Sequence, residues 1–87
     1  MSTTSKPAQE ILEYISDTVK LIVSDPSQVE VTLSENHDII CYKIKVPPGE
    51  VGRIIGAKGV NIEAIRKVCR VIAAIREVRV DIQVQEG

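Results

Sequence analysis

Hydrophobic residues recur along this chain at two different spacings, which divide it into predicted helices and strands. From Ala8 the apolar positions fall three and four residues apart, which predicts an amphipathic helix of about four turns. The helix should end before Asp25-Pro26, because the residue preceding a proline is pushed out of the α region. Residues 29–34 then alternate strictly, and β-branched residues fill 39–46, so we expect two antiparallel strands joined by a turn at 35–38.

The second half of the chain shows the same two spacings on either side of a group of glycines. Pro47-Pro48 should end the second strand, since prolines cannot continue a hydrogen-bonded ladder. Residues 50–55 predict a short helix, and a longer one should run from Asn61, its predicted N-cap, to about Arg76. Residues 78–85 alternate and predict a third strand with one wet face. The inner face of the longer helix is predicted to hold Ile62, Ile65, Val68, Cys69, Ile72 and Ile75.

The order of these elements, helix-strand-strand-helix-helix-strand, predicts a single α+β domain. The crossover between the second and third strands contains helices, so at least one strand pair should be parallel and the three-stranded sheet mixed. Three helices have apolar stripes and the sheet has one dry face, so we expect all three helices to pack on that face. The domain is predicted to span residues 8–87, and the Ser/Thr-rich residues 1–7 to form a disordered N-terminal tail.

Charge is distributed unevenly along a chain whose net charge is only −1. Residues 52–79 hold seven cations against two acids, whereas the other segments hold four cations against ten acids. A basic half facing an acidic half is typical of a modest nucleic-acid binder, and a solvated helix surface is the alternative. Trp and Phe are absent, which argues against recognition through stacked aromatic platforms.

The residues that usually carry catalysis or bind metals are sparse. Cys41 and Cys69 lie within apolar segments, lack Cys-x-x-Cys spacing, and are interpreted as small buried hydrophobes of a reducing compartment. With His37 as the single histidine, no Ser/His/Asp or paired-carboxylate site can be assembled. We therefore expect no enzyme activity, no metal and no cofactor. The sequence has no signal-peptide pattern and no long apolar run, which makes the cytoplasm the expected location.

The segment 51–62, VGRIIGAKGVNI, places two glycines inside an apolar stretch. A phosphate-binding Walker A loop fails to fit, because Lys58 is followed by Gly59 and no Ser or Thr is available for magnesium. A dinucleotide loop fails as well, since the spacing Gly52-x3-Gly56-x2-Gly59 differs from Gly-x-Gly-x-x-Gly and follows a proline stop. A Gly-x-x-Gly loop between a short and a longer helix is what remains.

In this element order the chain resembles a K-homology (KH) domain of the type II arrangement, and over residues 11–84 it is similar to the small bacterial KH proteins of the KhpA family. The resemblance is carried by residues 25–31 (DPSQVEV), 51–59 (VGRIIGAKG) and 64–68 (AIRKV). It implies a cytoplasmic protein that binds single-stranded RNA and acts as a post-transcriptional regulator or RNA chaperone. The Gly-x-x-Gly loop of KH domains holds about four nucleotides by their backbone.

The resemblance and the local chemistry together give a set of expected RNA-binding residues. Gly56 and Gly59 should permit close approach, Ala57 should keep the loop small, and Lys58 should add charge. The remaining candidates are Arg53 and Arg66 for phosphate, with plain solubility as the alternative for Arg66. Ile54 or Ile55, together with Ile62, is expected to form an apolar floor under the bases, with core packing as the alternative for each isoleucine. Family members are also associated with self-association and with a larger KH partner of the Jag type, so the alternative function is a protein-interaction adaptor with weak RNA binding.

Overall fold

The computed structural model describes residues 5–86, and its helices follow the periodicity of the apolar residues. Helix α1 spans Lys6–Ile22, α2 spans Val51–Ile55, and α3 spans Val60–Ile75. Short 3-10 turns at Pro26–Gln28, Pro48–Glu50 and Ala57–Gly59 connect them to the neighbouring elements. No helix among the described residues is long and apolar enough to cross a membrane.

Three strands form one mixed sheet in the order β1-β2-β3. Strand β1 (Glu30–Asn36) pairs antiparallel with β2 (Ile39–Val46), and β2 pairs in parallel with β3 (Arg79–Glu86). Helices α2 and α3 form the crossover that a parallel pair requires, so the predicted mixed sheet is confirmed. Because β2 is the central strand, β1 and β3 each leave one edge without a strand partner among the described residues.

The core lies between one face of the sheet and the three helices. Alternate residues of β2 point into it, and so do the apolar stripe of α1 and part of that of α3. Tyr42, at the centre of β2, is fully buried and donates its hydroxyl to the carbonyl of Ala8 at 2.8 Å, which fixes α1 on the sheet. Burial raises the pKa of the Tyr42 hydroxyl well above its usual range. The predicted α+β fold, with its mixed sheet and helical layer, is confirmed.

Several element boundaries differ from the predicted ones by a few residues. Helix α1 begins at Lys6 instead of Ala8, because Ser5 caps it by accepting from the Ala8 N–H and Pro7 is tolerated in the first turn. Of the predicted tail, residues 1–4 lie outside the described part of the chain. Strand β1 extends to Asn36, since His37 adopts a positive φ of 55° and a turn at 37–38 closes the hairpin.

Helix α3 differs from its prediction in which residues face inward. Ile62, Ile65 and Cys69 are buried as expected, but Val68 is partly exposed and Ile75 is largely exposed. At 3.6 residues per turn, Val68 and Ile75 lie about 100° around the helix from the centre of the buried stripe. The helix therefore has a second apolar stripe on its outer side, which the spacing of isoleucines and valines alone did not separate from the first.

Candidate nucleic-acid interface

The loop between α2 and α3 has an unusual backbone. Three of its four residues have positive φ: Gly56 (φ 79°, ψ 171°), Lys58 (φ 56°, ψ 25°) and Gly59 (φ 77°, ψ 14°). The Gly56 conformation belongs to a region that is essentially restricted to glycine, whereas the other two are left-handed. Lys58 therefore holds a conformation that costs a non-glycine residue about 1–2 kcal/mol. This strain makes the loop a candidate functional site.

Gly56 is closed in by its neighbours. A Cβ at this position would lie 2.5 Å from Cγ of Asn61 and 2.7 Å from its Nδ2. The Asn61 side chain is held there because its Nδ2 donates to the carbonyl of Arg53 at 2.8 Å, across the loop. Asn61 is thus not the N-cap that the sequence suggested. Gly59 occupies that position, and the Asn61 side chain fastens the end of α2 to the start of α3.

Gly59 and the two residues before it form the open side of the loop. No atom lies within 4 Å of the place a Cβ would take on Gly59, and the side chains of Ala57 and Lys58 are exposed. Within residues 5–86, the backbone N–H groups of Ala57 and Lys58 donate to no other group. Free N–H groups beside the N-terminus of α3 and a lysine ammonium can together bind an anion such as phosphate.

Arg53 lies one helical turn before the loop and contacts Glu50. Its Nε is 3.2 Å from Oε1 of Glu50, and its side chain is 60% exposed. Glu50 in turn accepts a hydrogen bond from the Ser24 N–H at 3.0 Å and another from the Ser24 hydroxyl. The Ser24 hydroxyl and the Arg53 guanidinium hold the pKa of this carboxyl below its usual range, with desolvation opposing them. Arg53 is therefore placed near the loop with its guanidinium already oriented.

A cleft lies between α3 and the edge strand β3. Arg66 enters it and donates from Nη2 to the carbonyl of Ile82 at 3.0 Å, while Arg66 and Arg70 contact Glu63 at 3.4 and 3.5 Å. Two small cavities lie along this cleft, of about 60 and 260 Å³. They are lined by Arg66, Arg70, Ala73, Ala74, Val78, Arg79, Val80, Asp81 and Ile82. The cleft therefore combines three arginines with apolar surface.

The isoleucines expected to form an apolar floor do not lie together at the surface. Ile62 is only 4% exposed and belongs to the core, as does the fully buried Ile54. Ile55 is half-buried and is thus the one of these three that solvent can reach. The expected contact between Ile62 and RNA bases therefore has no accessible surface in this structure.

Sequence reasoning did not identify two residues that shape the site. The role of Asn61 depends on a carbonyl eight residues earlier, and no spacing rule indicates that contact. Glu50 and Arg53 are three residues apart, a spacing that favours ion pairs on a helix, and this signal could have identified the pair. Elsewhere, His37 is exposed, and burial raises the pKa of the Cys69 thiol to about 11. No cluster of three potential metal ligands occurs within residues 5–86.

Residues 12–84 match the family model described as KhpA/KhpB, KH domain. The RNA-binding protein KhpA of Chlamydia trachomatis serovar D is 33% identical over 78 residues, which cover 90% of this chain and 96% of that protein. The RNA-binding protein KhpA of Caldanaerobacter subterraneus subsp. tengcongensis is 31% identical over 72 residues, covering 83% and 96%. The corresponding protein of Listeria monocytogenes serovar 1/2a is 28% identical over 74 residues, covering 85% and 97%.

Solved structures with a similar fold include Era in complex with MgGDPNP and nucleotides 1506–1542 of 16S ribosomal RNA, with a TM-score of 0.66 and 20% identity. Aquifex aeolicus Era bound to GDP and AlF4− gives a TM-score of 0.64 and 18% identity. The similarity to the first structure covers all of this chain, which spans 33% of the Era chain. At these identities the likeness establishes the fold alone.

Proposed function

The chain belongs to the KhpA/KhpB KH-domain family, and on this premise we propose that it is a non-enzymatic protein that binds single-stranded RNA. The observation that carries the proposal is the loop of residues 56–59, whose Ala57 and Lys58 N–H groups have no partner in the described chain. Its relatives named as RNA-binding proteins cover nearly the whole domain, which supports the same role here. Regulation of transcripts after their synthesis, or RNA chaperoning, is the cellular role we propose.

Phosphate binding at the loop follows from its backbone. An RNA phosphate approaches the side where Gly59 has no Cβ and accepts hydrogen bonds from the Ala57 and Lys58 N–H groups. The Lys58 ammonium, within the loop, and the Arg53 guanidinium, one helical turn before it, neutralise the phosphate charge. The RNA backbone is held by its phosphates here, and this contact carries no base preference by itself.

The rest of the strand is proposed to follow the cleft between α3 and β3. Arg66 lies six residues after Val60 and therefore about 9 Å further along α3, beyond the reach of the loop phosphate. Arg66 and Arg70 would meet later phosphates, and the apolar surface of Val80 and Ile55 would contact bases. Arg66 is held by the Ile82 carbonyl, so it contributes to RNA binding only with its remaining donors.

The affinity of this site should be modest and sensitive to salt. If Lys58, Arg53 and Arg66 together neutralise three phosphates, the logarithm of the binding constant should fall with the logarithm of salt concentration with a slope of about −2. The net charge of −1 gives no general attraction for RNA beyond these local contacts.

Replacing both Ala57 and Lys58 by Asp tests the proposal directly. The double variant places two carboxylates where phosphate is proposed to bind, so it should lose retention of single-stranded RNA while its circular dichroism spectrum stays that of the parent. Gln9→Asp with Lys20→Asp is the matched control, since both residues are exposed on α1 and the charge change is identical. If the loop variant and the control bind RNA equally well at moderate salt, residues 56–59 are not the RNA-binding site.

A second candidate function, an adaptor that pairs with another KH chain, is favoured by the outer stripe of α3. Its side chains are unusually exposed for apolar residues, with Val71 at 60% and Ile75 at 74%, and Leu21 on α1 lies 87% exposed. On α3 itself, Val71 and Ile75 recur with Val60, Ala64 and Val68 three and four residues apart along one face. Beside them, a groove of about 250 Å³ between α1 and α3 is lined by Tyr14, Thr18, Ile22, Asn61, Ala64, Ile65 and Val68. Such a face suits a second KH chain, a copy of this one or a larger Jag-type protein.

Sedimentation equilibrium over a range of protein concentrations distinguishes the two functions. The adaptor function expects a concentration-dependent dimer that Val71→Glu dissociates, with RNA excluded from the dimer. The control Thr32→Glu introduces the same side chain on the open face of the sheet and should not dissociate it. A monomer that binds RNA would rule out the adaptor function.

A further inference from the structure

Glu50 is a charged residue with little solvent access, at the end of the turn that precedes α2. It is 7% exposed, and among the described residues it is the one polar or charged residue classed as buried. Its Oε2 is satisfied by Ser24, through the backbone N–H and the hydroxyl. A buried carboxylate costs stability unless it is paired. The Glu50 carboxylate lies beside the proposed ligand site, and Ser24 accounts for only one of its two oxygens.

The second oxygen, Oε1, contacts Arg53 and has no hydrogen-bond partner within the described chain. Arg53 Nε approaches it to 3.2 Å as an ion pair, without the alignment of a full hydrogen bond. A guanidinium carries five N–H donors, and Nη1 and Nη2 of Arg53 have no partner among residues 5–86. The contact with Glu50 therefore holds the inner edge of the guanidinium and leaves its outer edge in solvent. The outer edge, with Nη1 and Nη2, can donate two parallel hydrogen bonds to a phosphate.

The backbone of Arg53 is fixed as well. Its carbonyl accepts from Asn61 Nδ2 at 2.8 Å, and the Asn61 side chain lies against Gly56 at the start of the loop. Ser24, Glu50, Arg53 and Asn61 thus form a continuous series of contacts from the end of α1 to the loop. The backbone position of Arg53 is therefore fixed before any ligand arrives, and the ion pair with Glu50 favours one direction of its guanidinium.

We propose that Glu50 is a positioning residue for RNA binding, which holds the Arg53 guanidinium in the orientation that receives an RNA phosphate beside the 56–59 loop. The inference rests on the proposed function, since it concerns the same site. Ordering a long side chain at an interface lowers its conformational entropy and so weakens binding. The contact with Glu50 already restricts the Arg53 side chain in the free protein, so less entropy is lost when RNA binds. Removal of Glu50 should therefore weaken RNA binding even though it removes a negative charge.

The test compares Glu50→Gln with Glu30→Gln in the full chain, using a short single-stranded oligoribonucleotide over a range of salt. Gln keeps an oxygen that can accept from Ser24 but loses the ion pair with Arg53. Glu30 is exposed at the start of β1, so its variant reports the effect of one lost negative charge alone. Relative to this control, Glu50→Gln should bind RNA about two- to tenfold more weakly.

Two further readouts separate positioning from a general structural role. In an Arg53→Ala background, Glu50→Gln should no longer change RNA affinity, because the group it positions is gone. The chemical shift of the Arg53 Nε–H group should change in Glu50→Gln by more than in Glu30→Gln, because the carboxylate 3.2 Å from Nε is lost. If Glu50→Gln does not fold, Ser24→Ala, which leaves both charges in place, should weaken binding in the same direction.

The outcomes also distinguish this inference from the proposed function. A parent protein that does not bind the oligoribonucleotide would overturn both. A parent that binds, together with Glu50→Gln binding as tightly as Glu30→Gln or more tightly, would overturn the positioning role alone. The same holds if Glu50→Gln still weakens binding in the Arg53→Ala background. Tighter binding would mean that Glu50 competes with RNA for Arg53.

Discussion

The two glycines of the Gly-x-x-Gly loop lie in opposite surroundings. Gly56 is packed against Asn61, where a Cβ would come within 2.5 Å of side-chain atoms, whereas no atom lies within 4 Å of a Cβ position on Gly59. Their backbones differ too, since Gly56 has ψ near 171° and Gly59 is left-handed. Gly56 permits close packing within the protein, and Gly59 leaves part of the loop surface open to solvent.

This difference shows that a symmetrical motif can serve two physical purposes. Gly56 lets α2 and α3 meet with Asn61 bridging them, which is a requirement of folding. Gly59 leaves the N–H side of Ala57 and Lys58 accessible, which is a requirement of ligand approach under the proposed function. A substitution at Gly56 that abolishes RNA binding would therefore say little about RNA contact, and each glycine needs its own experiment.

Gly56→Ala should have the largest effect on stability. Its backbone conformation is essentially restricted to glycine, which costs another residue about 1–3 kcal/mol, and the added methyl must displace Asn61 at a similar cost. We expect the free energy of unfolding, measured in urea, to fall by about 3 kcal/mol. Gly52→Ala is the matched control, because Gly52 lies within α2 with open space around it and alanine should stabilise the helix slightly. If Gly56→Ala lowers the free energy of unfolding by less than about 1 kcal/mol, Gly56 is not closely packed against Asn61 as described.

Gly59→Ala should cost less stability and affect RNA more directly. Only the left-handed backbone opposes alanine here, at about 1–2 kcal/mol, since the space is empty. Gly59→Asn distinguishes backbone strain from blocked access for RNA, because asparagine tolerates the left-handed conformation but its side chain fills the open side of the loop. It should unfold close to the parent in urea and bind single-stranded RNA more weakly. Parent-like RNA binding by Gly59→Asn would show that the RNA backbone does not approach this side.

Asn61→Ala should be milder still when made alone. It removes the hydrogen bond to the Arg53 carbonyl, worth about 1 kcal/mol of unfolding free energy. Combined with Gly56→Ala, however, it should partly rescue that variant, because the added methyl no longer meets Cγ and Nδ2 of Asn61 and only the contact with Cβ of residue 61, at 2.9 Å, remains. The double-mutant cycle should give a coupling of at least about 0.5 kcal/mol. Additive effects would mean that strain in the Gly56 backbone, and not contact with Asn61, explains its sensitivity.

The sequence predicted the frame of this molecule better than its site. Alternation at 29–34, 39–46 and 78–85 defines strands whose pairing the helical crossover restricts, so the mixed sheet could be expected. The 56–59 loop could also be located, because its two glycines lie between two predicted helices. The separate surroundings of Gly56 and Gly59 depend on a side chain that reaches across the loop to the carbonyl of Arg53. Such a contact is a property of the folded backbone, so no pattern along the chain could indicate it.

The outer stripe of α3 shows a second limit of sequence reasoning. Val68 and Ile75 have the same apolar character as Ile65 and Cys69, and a rule that counts three- and four-residue steps accepts all four on one face. The sheet covers only part of a helix circumference. Which apolar residues it covers is decided by how α3 is rotated over the sheet, and the spacing of residues along the helix does not specify that rotation.

Lys58 lies between the two glycines and should give the smallest change in stability, with the opposite sign. As a left-handed non-glycine residue it stores strain, so Lys58→Gly should raise the free energy of unfolding by about 0.5–1 kcal/mol. If Lys58 contacts phosphate, the same variant should bind RNA several-fold more weakly, and the salt slope should shrink by about 0.7.

Lys58→Ala completes this comparison, because it removes the charge but keeps the strained backbone. It should lose RNA affinity to the same extent as Lys58→Gly while unfolding in urea like the parent. That pattern would mean the chain retains a destabilising residue on the open side of the loop for its charge alone, as proteins do at sites where function opposes stability. Full RNA affinity in Lys58→Gly would instead make the strain at Lys58 unrelated to ligand binding, and the open side would then depend on its backbone N–H groups.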